Sequence, residues 1–427
     1  MSLLRKYYLV SNFIFWETVK INNVFKLGGR FMGIKITDKV TWVGKIDWEL
    51  RTFHGEEYST HRGTSYNSYI IRDGKTVLID TVWEPFAEEF VENLKKEIDL
   101  NEIDYIISNH AEVDHSGALP LLMKEIPHVP IYCTSNGAKI LKAHYHEDWN
   151  FVEVKSGDEL EIGKNNKLIF IEAKMLHWPD SMFTYMTGES ILFSNDAFGQ
   201  HYASERLFND LVDQCELYQE AIKYYANILT PFSPLVINKI KEILSFNLPV
   251  NMIATSHGII WRDNPTQIVE KYLEWANDYQ ENQITILYET MWDATRKMAE
   301  AIAEGIRAAD KDITVKVYNV GRSDKNDVIT ELFKSKAILV GCSTVNKSIM
   351  SSTASILAMI RGIGFKKKKA AAFGSYGWSG ESVPMITEKL KEAKLEVVDE
   401  GLKIQWQPDE EELEKCREFG RQFVSKL

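Results

Sequence analysis

Apolar and polar positions along the chain change rhythm once, near residue 280. Before that point, short apolar runs alternate with polar loops. Residues 67–80 read NSYIIRDGKTVLID, two apolar runs around Asp73-Gly74. That pair accepts the positive φ of a tight turn, so the pattern predicts a β-hairpin. A helix is predicted over residues 85–98, a strand over 103–108, a loop over 109–117 and another helix from Ala118. Short strands follow at 131–133, 168–171, 191–194 and 250–255, each leading into a polar loop that carries His or Asp. From Ile284 the units become regular. A strand ITILYE precedes an amphipathic stretch at 294–306, then come strands at 314–318, 337–341, 370–373 and 395–398 and a closing helix from about Glu410. Strand-then-helix repetition of this kind builds a doubly wound parallel sheet. The boundary is expected between residues 275 and 284, and no internal repeat is visible.

A chain of 427 residues exceeds one ordinary core, which fits two domains. Hydrophobic residues make up 44% and charged residues 26%, a balance that predicts a folded chain throughout. The net charge of −11 excludes a general nucleic-acid binder, because phosphate contacts need a surplus of Lys and Arg. The run Lys366 to Lys369 reads as a solvated strand entrance, with a dock for an acidic partner as the alternative. Cys133, Cys215, Cys342 and Cys416 show no C-x-x-C spacing, so no zinc knuckle or rubredoxin-type iron site is encoded. Cys133 and Cys342 lie in apolar runs and read as buried thiols, which suits a reducing cytoplasm.

Arg5 and Lys6 precede an apolar run from Tyr7 to Trp16 that imitates a signal peptide. No small-residue cleavage site follows, and the run is about half the ~20 residues of a membrane span, so no membrane association is expected. Residues 1–31 read as a mis-assigned upstream extension, with the native start at Met32. Leu27-Gly28-Gly29-Arg30 would back-translate to a purine-rich tract like a ribosome-binding site just ahead of that methionine.

The chemistry is concentrated in the loop after the strand at 103–108. His110, Glu112, Asp114 and His115 place four potential ligands within six residues. A lone histidine is usually a hydrogen-bonded core or surface residue, and His54, His61, His128, His144, His146 and His201 are read that way. Four clustered donors differ, because buried charge without a neutralising metal is strongly unfavourable. His177, Asp196 and His257 also follow apolar runs, and strand ends on one sheet edge can bring distant loops to a common crevice. Seven donors make two metal sites, with one carboxylate able to bridge.

The pattern H-x-E-x-D-H resembles the metallo-β-lactamase superfamily, whose hydrolases usually carry H-x-H-x-D-H. With Glu112 in place of the second histidine, it is similar to the flavodiiron family within that superfamily. A carboxylate is a harder, more electron-donating ligand than imidazole, suited to iron cycling between ferrous and ferric states. The resemblance implies that His110, Glu112 and His177 hold one iron and Asp114, His115 and His257 the other, with Asp196 bridging. His115 is the position that water can take in the family. A zinc hydrolase with an accessory flavodoxin-like domain is the alternative, and a histidine at 112 would be its mark.

The second domain opens with Tyr288-Glu289-Thr290-Met291-Trp292-Asp293-Ala294-Thr295 between its first strand and helix. Backbone amides and hydroxyls in such a loop can cradle a phosphate. Ser343-Thr344-Val345-Asn346 and Ser375-Tyr376-Gly377-Trp378-Ser379-Gly380 follow two later strands, and ligands bind at the carboxyl ends of parallel strands. Trp378 and Trp292 are candidates to border a flavin ring. These loops resemble those of flavodoxins, with Asp293 and Ser343 standing where the family often has Gly and Pro. A single-phosphate loop without G-x-G-x-x-G favours FMN over FAD or a nicotinamide cofactor.

Together the two constellations imply a metallo-β-lactamase-like αββα sandwich over residues 32–280 followed by a flavodoxin-like domain over 284–427. By that resemblance the activity is reduction of dioxygen to water, nitric oxide to nitrous oxide, or both, at two irons fed by FMN. It also implies a head-to-tail homodimer or a dimer of dimers, and a separate electron donor, rubredoxin. An oxygen-sensing or electron-carrying relative without sustained turnover is the non-enzymatic alternative.

Overall fold

A computed structural model describes residues 33–427; the reading of residues 1–31 lies outside them. Two sheets form the first half. One has seven strands in the order Ile34–Lys35, Val40–Trp42, Tyr69–Arg72, Thr76–Ile79, Tyr105–Ile107, Ile131–Thr134 and Phe151–Val154. The other has five, Glu159–Glu161, Lys167–Glu172, Met182–Met186, Ile191–Asn195 and Met252–Thr255. Alternate side chains of the two sheets meet in one core, with Ile71, Val77 and Ile107 facing the cluster that holds Phe170, Met182 and Phe193. Helices cover both outer faces, giving an αββα sandwich. The hairpin at Asp73-Gly74 forms, with Arg72 opposite Thr76.

Helix Ala87–Glu97 shows why this sequence makes these elements. Ala87, Phe90, Val91 and Leu94 recur at helical spacing and are buried against the first sheet, while Glu88 and Glu89 open the helix and Lys95 and Lys96 close it, matching its dipole. Two departures from the sequence reading lie close to the site. Asp114 and His115 lie on a one-turn helix, Val113–Ser116, within the stretch read as loop. The buried strand Met182–Met186 was not anticipated, because MFTYM is short and buried on both faces, so it shows no clear period.

The second half is a parallel sheet in the order Thr314–Asn319, Glu281–Glu289, Ser335–Cys342, Lys369–Tyr376 and Glu396–Val397, with Leu402–Gln405 also paired to Lys369–Tyr376. Helices Ala294–Ala309 and Glu410–Ser425 pack on one face, and the latter begins with a capping box between Asp409 and Glu412. The other face shares a continuous apolar core with the first half, in which Tyr225, Tyr272 and Trp275 meet Phe333 and Ile360. Polar contacts close the same junction: Lys223 Nζ lies 2.7 Å from Asp327 Oδ1, and Ser59 Oγ donates to Asp324 at 2.8 Å.

The basic run is consumed largely by structure. Lys367 pairs with Asp278, Lys368 donates to the carbonyls of Phe333 and Ser335, and Lys369 holds the carbonyls of Lys426 and Leu427. Burial pulls the Lys368 ammonium down to about 7, against the opposing pull of Asp278. An unfolded lysine titrates near 10.4, so between about pH 7 and 10 the unfolded chain binds more protons. Stability contributed at this position is therefore full above that range and is lost as pH falls toward 7. Unfolding free energies of wild type from denaturant titration are expected to rise from pH 7 to 10 relative to those of Lys368→Met, by up to a few kcal/mol; parallel profiles would refute this.

Candidate metal and flavin sites

Four strand ends supply the ligand set. The loop after Tyr105–Ile107 carries His110 and Glu112, the turn before Met182–Met186 carries His177, Asp196 follows Ile191–Asn195, and His257 follows Met252–Thr255. All seven sequence-predicted donors come together there. His110, Glu112, His177 and Asp196 form one group, and Asp114, His115 and His257 another. Asp196 faces both. Its Oδ2 lies 3.2 Å from His177 Nε2 and 3.6 Å from His110 Nε2, and its Oδ1 lies 2.9 Å from His115 Nε2 and 3.5 Å from His257 Nε2. Glu112 Oε2 sits 3.2 Å from His110 Nε2, and Asp114 Oδ2 sits 3.0 Å from His257 Nε2.

These residues fit metal ions better than they fit one another. Both oxygens of Asp114 and Asp196 and both nitrogens of His115 are buried without a hydrogen bond of acceptable geometry. Such groups are strongly disfavoured unless a cation takes them. Three carboxylates among four imidazoles also suit a hard, redox-active metal such as iron. Burial would push the Glu112 carboxyl up, but His110 and His54 beside it hold it well below the usual range.

The immediate surroundings include residues that sequence reasoning set aside. His54 Nε2 lies 3.1 Å from Glu112 Oε1, with its backbone at φ +51°, a conformation uncommon outside glycine. His201 is fully buried 4.9 Å from the His257 ring and 2.9 Å from Thr64 Oγ1, and burial pushes its imidazole well below the usual range, which favours the neutral form. Neither histidine stands in a motif, so only the fold reveals its place. Gly258 directly after His257 is required: a Cβ there would meet Gln200 Oε1 at 2.0 Å, and its φ is +69°.

At the carboxyl ends of the second sheet lies a cavity of about 630 Å³. Met291, Trp292 and Ala294 line it from the first loop, Ser343, Thr344 and Asn346 from the second, and Ser375, Tyr376, Gly377, Trp378 and Ser379 from the third. Thr290, Asp293, Thr295, Val345 and Gly380 are not on its wall. Thr295 instead lies behind it, with Oγ1 2.9 Å from Ser343 Oγ and 2.8 Å from Ser375 Oγ, so one hydroxyl from each loop meets at the same point. Thr290 Oγ1 is buried and unpartnered, and helix Ala294–Ala309 starts without a side-chain cap. Free amides, an orphaned hydroxyl and a hydroxyl cluster fit a phosphate. Asp293 points away, exposed and 3.1 Å from Arg296 Nε, which holds its carboxyl below the usual range.

Three residues of the wall were missed: Lys347, Trp406 and Gln407. Trp406 arrives through the strand Leu402–Gln405, and its amide donates to Tyr376 O at 2.7 Å. Trp292, Trp378 and Trp406 are all largely exposed around the mouth, with Trp378 and Trp406 6.2 Å apart, an arrangement fit to flank a planar ring. Substituting Thr295→Val is expected to weaken FMN binding about tenfold, because it removes the hydroxyl that orients Ser343 and Ser375 on the wall, and a neutral hydrogen bond contributes about 0.5–1.5 kcal/mol. Fluorescence titration of the flavin-stripped protein measures this, and an unchanged Kd together with wild-type iron would contradict it.

Comparison with known proteins matches both halves. Residues 64–258 match the ODP family beta lactamase model, and residues 286–420 match the flavodoxin model. The chain is 58% identical to the anaerobic nitric oxide reductase flavorubredoxin of Klebsiella pneumoniae over 92% of its own length and 82% of that protein. Among solved structures it resembles the rubredoxin oxygen:oxidoreductase of Desulfovibrio gigas, with TM-score 0.89 and 34% identity over 92% of this chain and 98% of that one. The flavodiiron protein of Giardia intestinalis gives TM-score 0.87 and 34% identity, covering 92% and 96%.

Proposed function

The chain belongs to the flavodiiron protein family, and from that premise we propose that it works chiefly as a nitric oxide reductase. It is an oxidoreductase acting on nitric oxide or dioxygen with a di-iron centre and FMN. The observation that carries this reading is Asp196, one carboxylate turned toward two complete ligand groups in a chain that also holds a phosphate-and-ring cavity. Preference for nitric oxide rests on relatedness. The flavorubredoxin relatives at 57–58% identity are named for nitric oxide, whereas the oxygen:oxidoreductase stands at 34%.

Bound iron supplies electrons and Lewis acidity, and bound FMN supplies a reservoir of two electrons. The protein's part is placement. Each metal position has two imidazoles and one carboxylate of its own, and Asp196, facing both, would serve as a ligand to either ion. The balance 2 NO + 2 H⁺ + 2 e⁻ → N₂O + H₂O requires protons, and His54, a third exposed beside Glu112, connects the site to solvent. Tyr224 and His201 wall the opposite side, their rings 5.4 Å apart.

Electrons come from a rubredoxin-type donor, in keeping with the names of the relatives. The tryptophans around the flavin mouth and the exposed Trp48, Val113 and Leu211 on the metal-bearing half support a head-to-tail homodimer in which one subunit's flavin serves the other's metals. We further place the units at residues 32–280 and 284–427 and the protein in the cytoplasm; no helix among the described residues is long and apolar enough to cross a membrane. A zinc hydrolase is disfavoured by Glu112. Anaerobic assays with a reduced donor test the preference: kcat/KM for nitric oxide should exceed that for dioxygen, and the reverse order would overturn it.

A further inference from the structure

Four imidazoles face the metal positions, but they differ in what holds their far nitrogens. His257 Nδ1 lies 2.8 Å from the backbone carbonyl of Ser65, a neutral acceptor. His115 Nδ1 is buried without a partner. His110 Nδ1 lies 3.0 Å from Asp180 Oδ2, and among the described residues no other ligand histidine has a carboxylate on the nitrogen turned away from the metals. Asp180 is fully buried and has no Lys or Arg within salt-bridge distance. Its place is fixed twice more: Oδ2 accepts the Ala111 amide at 2.6 Å, and its carbonyl accepts from Thr134 Oγ1 at 2.9 Å. The Trp178 ring stands edge-on to His110 at 5.1 Å and closes that side.

An anionic acceptor on Nδ1–H fixes the tautomer with Nε2 unprotonated toward the metal, and it raises the electron density that Nε2 donates. A more electron-rich ligand favours the ferric over the ferrous ion. The two positions otherwise have matching donor sets, each with two imidazoles, one carboxylate and a share of Asp196. Asp180 is the one carboxylate behind a ligand imidazole among the described residues, and it stands on one side of the pair.

We propose that Asp180 is a positioning residue that orients His110 and makes the iron held by His110, Glu112 and His177 the more readily oxidised of the two. This rests on the di-iron reading above. In the half-reduced protein the ferric ion sits at that position, and the iron beside Asp114, His115 and His257 stays ferrous.

Asp180→Asn is the discriminating variant. Oδ2 carries both hydrogen bonds while Oδ1 has none, so an Asn whose carbonyl takes the Oδ2 position keeps both donors and removes the charge, with its NH2 group in the place of Oδ1. Iron affinity at one position should fall about 10–100-fold, read as iron per chain after dialysis against a chelator. The ferric-to-ferrous ratio of that iron at fixed potential should fall about tenfold, a midpoint rise of about 59 mV in an EPR-monitored titration. Unchanged iron retention with unchanged midpoints would overturn the proposal while leaving the di-iron reading intact. If the variant does not fold, Mössbauer spectra of half-reduced wild type decide: one localised ferric and one ferrous ion support the proposal, and two equivalent irons refute it. Wild-type protein that binds no iron would remove the di-iron reading itself.

Discussion

Asp196→Ala is expected to leave fewer than about one iron per chain and to lower turnover with either gas by about 10³-fold or more. The residue is 1% exposed, and its two oxygens face different imidazole pairs. Removing it leaves Glu112 and Asp114 to balance two divalent ions whose mutual repulsion Asp196 would otherwise screen. Altering a residue that only orients a ligand typically weakens metal binding about 10–100-fold, and loss of a shared ligand should exceed that. FMN content should stay at the wild-type level, because the flavin cavity lies in the other half of the chain. Metal analysis, flavin absorbance and gas consumption on one preparation separate these effects. Retention of both irons with normal turnover would show that the carboxylate is not shared.

The second large effect is expected from Glu112→His. This change restores the H-x-H-x-D-H pattern of the zinc hydrolases and replaces a carboxylate by an imidazole at one metal position. Softer, nitrogen-rich coordination favours zinc over iron and disfavours the ferric state. The substitution also breaks the 3.1 Å contact with His54. Turnover with nitric oxide should fall about 10²-fold or more, and zinc should replace iron when both are offered during expression. A variant that loads iron and turns over normally would mean that the carboxylate at 112 does not select the metal.

Much of the architecture is written in local patterns. The hairpin at Asp73-Gly74 and the strand-then-helix rhythm after Ile284 appear in the structure because turn chemistry and burial act within a few residues. The parallel sheet was therefore legible, whereas the αββα sandwich was expected only through the resemblance carried by the donor motif. The donors from His110 to His115 stood out for the same reason: four of them crowd one loop, and the fold brings His177, Asp196 and His257 to meet them.

What stayed hidden depends on long-range packing. His54 and His201 looked like ordinary histidines because each stands alone in sequence, and the fold carries them to Glu112 and His257. Asp180 reaches His110 across 70 positions of chain, and nothing local marks it. Trp406 joins the flavin cavity only because Leu402–Gln405 adds a short strand beside Lys369–Tyr376, a segment too brief to show a period. The lysine run reads as one solvated patch in sequence, yet Lys368 ends up 3% exposed beneath the junction of the two halves. Thr290, Asp293 and Thr295 are adjacent in the phosphate loop but separate in space. Asp293 turns to Arg296 while Thr295 turns inward to Ser343 and Ser375.

The most direct test of the central claim is the cofactor content of protein purified without oxygen. Metal analysis with Mössbauer spectroscopy and flavin extraction should find about two irons in one coupled centre and one FMN per chain. Zinc in place of iron, with no flavin, would contradict the account.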